Sequence, residues 1–207
     1  VCAITLGCKV NAYESEFILS KFKEKGYEIV NSDADIYIIN TCSVTNTSDA
    51  KSRKVVNKIV RENKDAIIVL MGCMIVEEYI KNKEKQKLLY DDFDNTFEDM
   101  FIDSMNYHTR AYVKIEDGCE NFCSYCIIPY TRGKVRSKDP NKIIEEIKTL
   151  VKNGYKEIVL TGIHTGHYGS DIDTSFPELL KRICELKGLK RLRISSIEIT
   201  ELDDDFL

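Results

Sequence analysis

Three cysteines lie close together in the segment "GCENFCSYCIIPYTRG", directly after a predicted strand. Cys119, Cys123 and Cys126 follow a C-x3-C-x2-C pattern. Thiolates are soft ligands that favour iron–sulfur clusters or zinc, and three without a fourth suit a 4Fe–4S cluster with one open iron. A structural zinc site normally closes with a fourth Cys or His, and the nearest histidines, His108 and His164, lie outside the loop. The pattern therefore favours a cluster whose open iron can chelate amino and carboxylate groups, with zinc closed by a folded-back His164 as the alternative.

Three more cysteines each come just after a predicted strand. These are Cys8, Cys42 and Cys73, which follow apolar runs at 3–7, 35–40 and 66–71. Ligand sites in parallel sheets form at the carboxyl ends of strands, so we expect the three thiols at one shared site. The alternative is that they are small buried hydrophobic residues, which is common for free cysteine.

The elements that must position these cysteines alternate between strand and helix. Alternating strands and amphipathic helices predict parallel sheets with helical crossovers, and hence an α/β fold. We expect a Rossmann-like parallel αβ domain at 1–105 and a second domain at 106–207 with a partial βα-barrel pattern. Further strands are predicted at 27–30, 111–115, 157–160 and 189–195. Helices are predicted from Asn11 to Gly26, from Thr47 or Ser48 onward, from Pro140 to Gly154 and from Pro177 to about Leu186.

Composition narrows the class of protein. The formal charge is −4 and the pI about 5.5, whereas a dedicated nucleic-acid module would be basic. No apolar run reaches the length of a membrane span, and the first residues lack the features of a signal peptide. We therefore expect a cytoplasmic protein without a membrane contact. In that reducing compartment, eight cysteines point to metal or redox chemistry rather than disulfides.

Other polar and cysteine residues carry weaker signals. Arg132, Lys134 and Arg136 form a basic stretch after the cysteine loop, which either contacts RNA phosphate or solvates the loop. Cys2 and Cys184 match no motif, and we expect both to be buried filler.

The C-x3-C-x2-C loop resembles the signature loop of the radical S-adenosylmethionine (SAM) enzymes. The resemblance implies that a reduced 4Fe–4S cluster on Cys119, Cys123 and Cys126 cleaves SAM to a radical that abstracts a substrate hydrogen. The residue before the third cysteine is usually aromatic in that family and contacts adenine, and Tyr125 holds this position. Thr161 and Gly162 end the strand that family members place near the SAM amino group; an ordinary turn is the alternative.

The two halves together resemble the radical SAM methylthiotransferase family. There the three N-terminal cysteines hold a second 4Fe–4S cluster that supplies sulfur to an unactivated C–H carbon, and SAM supplies the methyl group. The resemblance therefore implies that the auxiliary cluster is ligated by Cys8, Cys42 and Cys73. No catalytic residue beyond the cluster ligands is implied.

The sequences around these motifs indicate one substrate group within that family. "TLGCKVNAYESE", "NTCSVTNTSDAKSRK", "GCENFCSYCIIPYTRGKVRS", "VLTGIHTGHYGSD" and "RISSIE" resemble the enzymes that act on N6-threonylcarbamoyladenosine beside the tRNA anticodon. This implies tRNA and a reducing electron donor as partners; the oligomeric state is not indicated. The alternatives are isopentenyladenosine tRNA or a ribosomal protein as substrate, or a non-catalytic zinc-binding scaffold.

Two features depart from the family pattern. The barrel pattern stops after about three strands, so we expect only the first half of the radical SAM barrel at 106–207. The spacing from Cys73 to Cys119 is short, and "IVEEY" begins directly after "GCM". We therefore expect residues of the natural chain to be missing between Met74 and Ile75, and we expect its true start upstream, since no initiator Met is present.

Overall fold

The computed structural model describes residues 1–73, 97, 99–105, 109–201 and 206. The chain divides into two compact units. The first consists of Val1–Phe93 with Cys123–Thr131, and the second of Asp94–Phe122 with Arg132–Leu207. Within the described part of the chain, no helix combines the length and apolarity that crossing a membrane requires. The Met74–Ile75 junction lies outside the described residues.

The first unit is built on a three-stranded parallel sheet in the order β1–β2–β3, with bounds β1 (Cys2–Thr5), β2 (Ile36–Thr41) and β3 (Ile67–Gly72). The central strand is buried almost throughout, as expected for a parallel strand covered on both faces. In the register, Thr5 lies beside Asn40 and Thr41 beside Gly72, so the three strands end at the same edge. The predicted strands at 3–7, 35–40 and 66–71 are confirmed, each displaced by one or two residues.

Two helices follow the first two strands. They are α1 (Lys9–Glu24) and α2 (Asn46–Glu62). Cys8 occupies the N-cap of α1 with extended backbone, so this helix begins earlier than the predicted Asn11. Thr45, rather than Thr47 or Ser48, caps α2 by accepting a hydrogen bond from the Ser48 amide at 3.1 Å. The core between helices and sheet contains Cys2, Ala34, Tyr37, Ile39, Val56, Ile68 and Leu70, which confirms Cys2 as buried filler.

The strand predicted at 27–30 is wrong. Those residues are described, and they make two backbone bonds to Val1 without forming a ladder: the Val30 amide donates to the Val1 carbonyl, and the Val1 ammonium to the Glu28 carbonyl. Tyr27 packs edge-on against Phe22, with ring centroids 5.2 Å apart. The apolar residues of this segment therefore cover the end of α1 and are not used for strand pairing.

The second unit contains a parallel sheet in the order β4–β7–β8 and a small antiparallel pair β5–β6. The bounds are β4 (Ala111–Lys114), β5 (Glu116–Asp117), β6 (Arg136–Ser137), β7 (Glu157–Thr161) and β8 (Arg191–Ile194). The strands predicted at 111–115, 157–160 and 189–195 are thus confirmed. Parallel sheets connected by helices in both units confirm the α/β fold class.

Helices α4 (Pro140–Lys152) and α5 (Phe176–Cys184) belong to the second unit, and a short α3 (Ile128–Arg132) follows the cysteine loop. The Asp139 carboxylate caps α4 by accepting from the amides of Asn141 and Lys142 at 2.8 and 3.1 Å. Ile143 and Ile147 on its buried face are fully covered. Cys184 ends α5 and is exposed; the expectation of a buried filler is wrong here, because the apolar face of this helix does not reach its last residue.

Candidate metal centres

Three cysteine-bearing segments meet at the carboxyl edge of the first sheet. Cys8, Cys42 and Cys73 directly follow β1, β2 and β3 or the turn after them. The Cys73 amide donates to the Thr41 carbonyl at 3.1 Å. At Gly7 the φ angle is +120°, and a Cβ there would lie 2.8 Å from the Cys42 Cβ. Glycine therefore allows the segment before Cys8 to approach Cys42 closely.

The three thiols differ in exposure. They are also not close enough together to bind a single metal ion. Cys8 is exposed, Cys42 half-buried and Cys73 buried. Within the described residues, they do not form a group whose donor atoms all lie within 4.8 Å of one another. A four-iron cluster binds each thiolate through a different iron, so its ligands stand further apart than those of one ion. Three soft donors at one sheet edge therefore fit a cluster; their role as ligands stays a prediction.

A residue that the sequence analysis missed holds the backbone of Cys42. The Ser52 hydroxyl, which is fully buried on α2, accepts from the Cys42 amide at 3.2 Å and donates to the Cys42 carbonyl at 2.9 Å. A single hydroxyl thus satisfies both polar groups of the cysteine backbone. The position of Ser52 in the sequence, four residues after Ser48 in the α2 cap, does not predict this contact, because the contact depends on where α2 packs.

The C-x3-C-x2-C segment has its own local order. The Cys126 amide donates to the Cys123 carbonyl at 2.9 Å, which forms a turn between these two cysteines. They group with the first unit, whereas Cys119 groups with the second. The Cys119 amide donates to the Gly133 carbonyl at 3.1 Å. Tyr125 is 87% exposed, so its ring is accessible; whether it contacts adenine stays a prediction.

A buried carboxylate lies at the base of this segment. Asp117 receives Lys114 Nζ at 2.8 Å, Arg132 Nη1 at 3.1 Å and Arg136 Nη2 at 3.3 Å. Burial by itself would raise the pKa of Asp117, but the charges of Lys114 and Arg132 and the hydrogen bond from Lys114 outweigh it and hold the pKa well below its ordinary value. Asp117 is therefore ionised and anchors three cations.

These contacts exclude both interpretations of the basic stretch for its two arginines. Arg132 and Arg136 are buried against Asp117, so they neither solvate the loop nor present charge to RNA in this structure. Lys134 is exposed. The sequence predicts surface positions for all three residues, because it does not show that Asp117 lies opposite Arg132 and Arg136.

His164 lies beside the first cysteine of the motif. Its Nδ1 is 3.9 Å from Cys119 Sγ and 3.3 Å from Asn121 Nδ2. Its Nε2 faces Glu201 Oε1, and its ring lies 4.0 Å from that of His167 between centroids. In the described part of the chain, His164, His167 and Glu201 are the one group of such side chains with donor atoms within 4.8 Å of one another. His108 lies outside the described residues.

The predicted SAM-contacting strand end is buried and tightly packed. Thr161 is 1% exposed, and its carbonyl accepts from the Ile115 amide at 2.9 Å. A Cβ at Gly162 would lie 2.6 Å from Glu116 Oε2 and 3.1 Å from the Glu116 carbonyl oxygen, so any larger residue here would have to displace that carboxyl. Glu116 Oε2 also accepts from the His164 amide at 2.8 Å. Burial raises the pKa of Glu116 to about 8, although the hydrogen bond from His164 opposes it.

Two family models match the chain in succession. Residues 1–91 match the model described as "Uncharacterized protein family UPF0004", and residues 113–206 match the "Radical SAM superfamily". The first match contains Cys8, Cys42 and Cys73, and the second contains the C-x3-C-x2-C motif.

Curated relatives match nearly the whole chain. The threonylcarbamoyladenosine tRNA methylthiotransferase MtaB of Bacillus subtilis (strain 168) is 41% identical, over 98% of this chain and 52% of the relative. The protein of the same name from Aquifex aeolicus (strain VF5) is 35% identical, over 98% and 57%. The tRNA-2-methylthio-N(6)-dimethylallyladenosine synthase of Clostridium botulinum (strain Langeland / NCTC 10281 / Type F) is 32% identical, over 98% and 53%.

The chain spans about half the length of the curated relatives it matches. The alignment with the Bacillus subtilis relative runs over 236 residues, more than the 207 residues of the chain. That relative therefore has internal residues for which this chain has no counterpart, in line with the short spacing between Cys73 and Cys119.

Proposed function

We propose that this chain, which belongs to the radical SAM methylthiotransferase family, is part of an enzyme that modifies tRNA. The enzyme adds a methylthio group at C2 of N6-threonylcarbamoyladenosine, next to the anticodon. Two relatives whose printed names specify threonylcarbamoyladenosine tRNA, at 41% and 35% identity, support this substrate over the dimethylallyladenosine of the relative at 32%.

The observation that carries the proposal is the position of Cys8, Cys42 and Cys73 at the carboxyl edge of one parallel sheet. A radical SAM enzyme that only abstracts hydrogen needs the C-x3-C-x2-C motif alone. A methylthiotransferase also needs a source of sulfur, and a second set of three thiols, outside the C-x3-C-x2-C motif, provides ligands for it.

The chemistry explains why these parts are needed. A C2–H bond on an adenine ring has no acidic proton, so acid–base side chains alone do not activate it. When bound, the two 4Fe–4S clusters and SAM would supply the radical, the sulfur and the methyl group. The protein binds, orients and shields these groups.

The chain's own residues take the following proposed roles. Cys119, Cys123 and Cys126 hold the SAM-cleaving cluster, and Cys8, Cys42 and Cys73 hold the auxiliary one. Tyr125 and the backbone at Thr161 and Gly162 contact SAM, and the exposed ring of Tyr125 is accessible for stacking on an adenine. Asp117 and its cations keep the ends of the cysteine segment together. A reducing electron donor and tRNA are the expected partners.

A second candidate is a zinc-binding scaffold without catalysis. It is favoured by one contact, the 3.9 Å approach of His164 Nδ1 to Cys119 Sγ, since a histidine could serve as the fourth ligand of a closed zinc site. Anaerobic reconstitution in the presence of both metals distinguishes the two candidates. Binding of iron and sulfide together with reductive cleavage of SAM would support the enzyme. Binding of zinc without SAM cleavage would support the scaffold.

Mass analysis of tRNA nucleosides tests the substrate. Deletion of the gene should remove 2-methylthio-N6-threonylcarbamoyladenosine and leave its unmethylthiolated precursor. The methylthio derivative of isopentenyladenosine, measured in the same digest, is the internal control and should not change. Loss of that derivative instead would assign the alternative tRNA substrate, and an unchanged nucleoside profile would contradict a tRNA substrate.

A further inference from the structure

Two buried amide side chains connect the first turn of α1 to the end of β2. Asn11 and Asn40 are both fully buried. Asn11 Nδ2 donates to Asn40 Oδ1 at 2.6 Å, and Asn40 Nδ2 donates back to the Asn11 carbonyl at 3.0 Å. Buried polar groups are costly unless they are paired, and this reciprocal pair satisfies both amides at once.

Asn11 also contacts the backbone of the cysteine-bearing segments. Its Oδ1 accepts from the Cys8 amide at 3.2 Å, and its Nδ2 donates to the Thr41 carbonyl at 3.1 Å. The same Thr41 carbonyl accepts from the Cys73 amide at 3.1 Å, and Thr41 directly precedes Cys42. One side chain thus connects Cys8 to the peptide group around which the other two cysteines are arranged.

The orientation of the Asn11 amide is fixed by these partners. Its oxygen faces a donor, the Cys8 amide, and its nitrogen faces two acceptors, Thr41 O and Asn40 Oδ1. A flipped amide would place donor against donor at Cys8 and acceptor against acceptor at Thr41. Asn40 is fixed in turn, because its Nδ2 also lies 3.2 Å from Glu14 Oε2.

We propose that Asn11 is a positioning residue for the auxiliary cluster and sets the separation of Cys8 from Cys42 and Cys73. The inference rests on the proposed function, which supplies the cluster. It adds a role for Asn11 that the function itself does not specify. The Cys8 thiol also donates to Asn11 Oδ1 at 3.2 Å. That bond requires a protonated thiol, whereas the bonds of Asn11 to the Cys8 amide and to the Thr41 carbonyl do not, so they are compatible with a ligating thiolate.

The test uses the chain with Cys119, Cys123 and Cys126 replaced by Ala, so that only the auxiliary cluster can form. In this background we compare Asn11→Ala and Asn11→Asp after anaerobic reconstitution. Asp has the same shape and keeps the acceptor for the Cys8 amide, but it cannot donate to Thr41 or Asn40. Iron, sulfide and the absorption and electron paramagnetic resonance spectra are measured alongside unfolding by urea.

Asn63→Ala is the matched control. Asn63 makes two side-chain hydrogen bonds in the same unit, from the Tyr37 hydroxyl at 3.0 Å and to the Ile59 carbonyl at 3.0 Å. It lies near the amino end of β2, away from the cysteines. Its replacement should lower stability while leaving iron binding intact, so it separates a general loss of stability from a loss of ligand positioning.

The expected result is about four irons per chain in the background and in Asn63→Ala. Both Asn11 variants should retain less than half of that iron and show an altered spectrum. Should Asn11→Ala fail to fold, the isosteric Asn11→Asp decides. Full iron content with an unchanged spectrum in Asn11→Asp would overturn the inference and leave the proposed function intact. A background chain that binds no iron would instead contradict the auxiliary cluster itself.

Discussion

Arg132 Nη1 lies 3.1 Å from Asp117 Oδ1, and this buried ion pair joins the two ends of the segment that contains Cys119, Cys123 and Cys126. The Cys119 amide bonds to Gly133, the residue after Arg132. The loop that carries the motif is therefore closed at its base by a charge pair and by a backbone hydrogen bond.

Replacing Asp117 with Asn should strongly destabilise the second unit. Lys114, Arg132 and Arg136 would lose their shared carboxylate while staying buried. Removal of one partner from a buried ion pair costs roughly 3–5 kcal/mol, and urea unfolding measures it. Asp99→Asn is the control, because its pair with Lys142 is exposed and exposed ion pairs contribute little to stability. Equal effects in the two variants would show that Asp117 is not the anchor.

Glu116→Gln should stabilise the protein increasingly as the pH rises. Burial raises the pKa of Glu116 from 4.5 to about 8, so the folded state keeps a proton that the unfolded state releases. The stability from this proton is complete below about pH 4.5 and is lost as the pH approaches 8. Gln resembles the protonated form and removes this dependence. Unfolding free energies measured from pH 5 to 8 should diverge between variant and wild type; parallel curves would contradict a buried neutral carboxyl.

Glu157→Gln should show the opposite pH dependence. Burial acts to raise the pKa of Glu157, but the hydrogen bond from Arg191 and the charge of Arg193 outweigh it and lower the pKa. A lowered folded-state pKa adds stability above the ordinary value of 4.5, which is lost as the pH falls through the folded-state pKa. The variant should therefore be less stable than wild type at pH 7 and approach it at acidic pH. A difference that grows on acidification would contradict the lowered pKa.

Ser52→Ala should destabilise the first unit and loosen Cys42. Loss of the hydroxyl leaves the amide and carbonyl of Cys42 without this partner, and an unsatisfied buried polar group costs about 1–3 kcal/mol. Urea unfolding gives the energy, and the rate of thiol alkylation at Cys42 gives the local effect. Ser20→Ala is the control, because that hydroxyl bonds back to the Phe17 carbonyl within α1, away from the cysteines. An alkylation rate at Cys42 equal to that of wild type would contradict the assigned contact.

Removing either set of three cysteines should remove one cluster and spare the other. Cys119, Cys123 and Cys126 replaced by Ala should lower the iron content by about four per chain and abolish SAM cleavage. Cys8, Cys42 and Cys73 replaced by Ala should lower iron equally but leave SAM cleavage. Cys2 and Cys184 replaced by Ala serve as the control, since neither belongs to a set. Unchanged iron in either triple variant would show that its cysteines are not ligands.

The local elements and the candidate ligands could be predicted from the amino-acid sequence alone. Strand periodicity located β1, β2 and β3, and their shared direction implied that Cys8, Cys42 and Cys73 reach one edge, because parallel strands place their carboxyl ends together. The C-x3-C-x2-C spacing needed no tertiary information, since its candidate ligands are neighbours in the chain. Periodicity misled at 27–30, where apolar residues cover a helix end and make no ladder.

The distant side chains that hold these cysteines in place could be identified only from the folded structure. Asn11 meets Asn40 across 29 residues of sequence, and Ser52 meets Cys42 across ten. Arg132 and Arg136 turned out to be buried because Asp117 lies opposite them. Such pairings depend on how a helix packs on a sheet and on the path of a loop. Composition and periodicity report which face of an element is apolar, but they do not report which polar side chain faces another within the core.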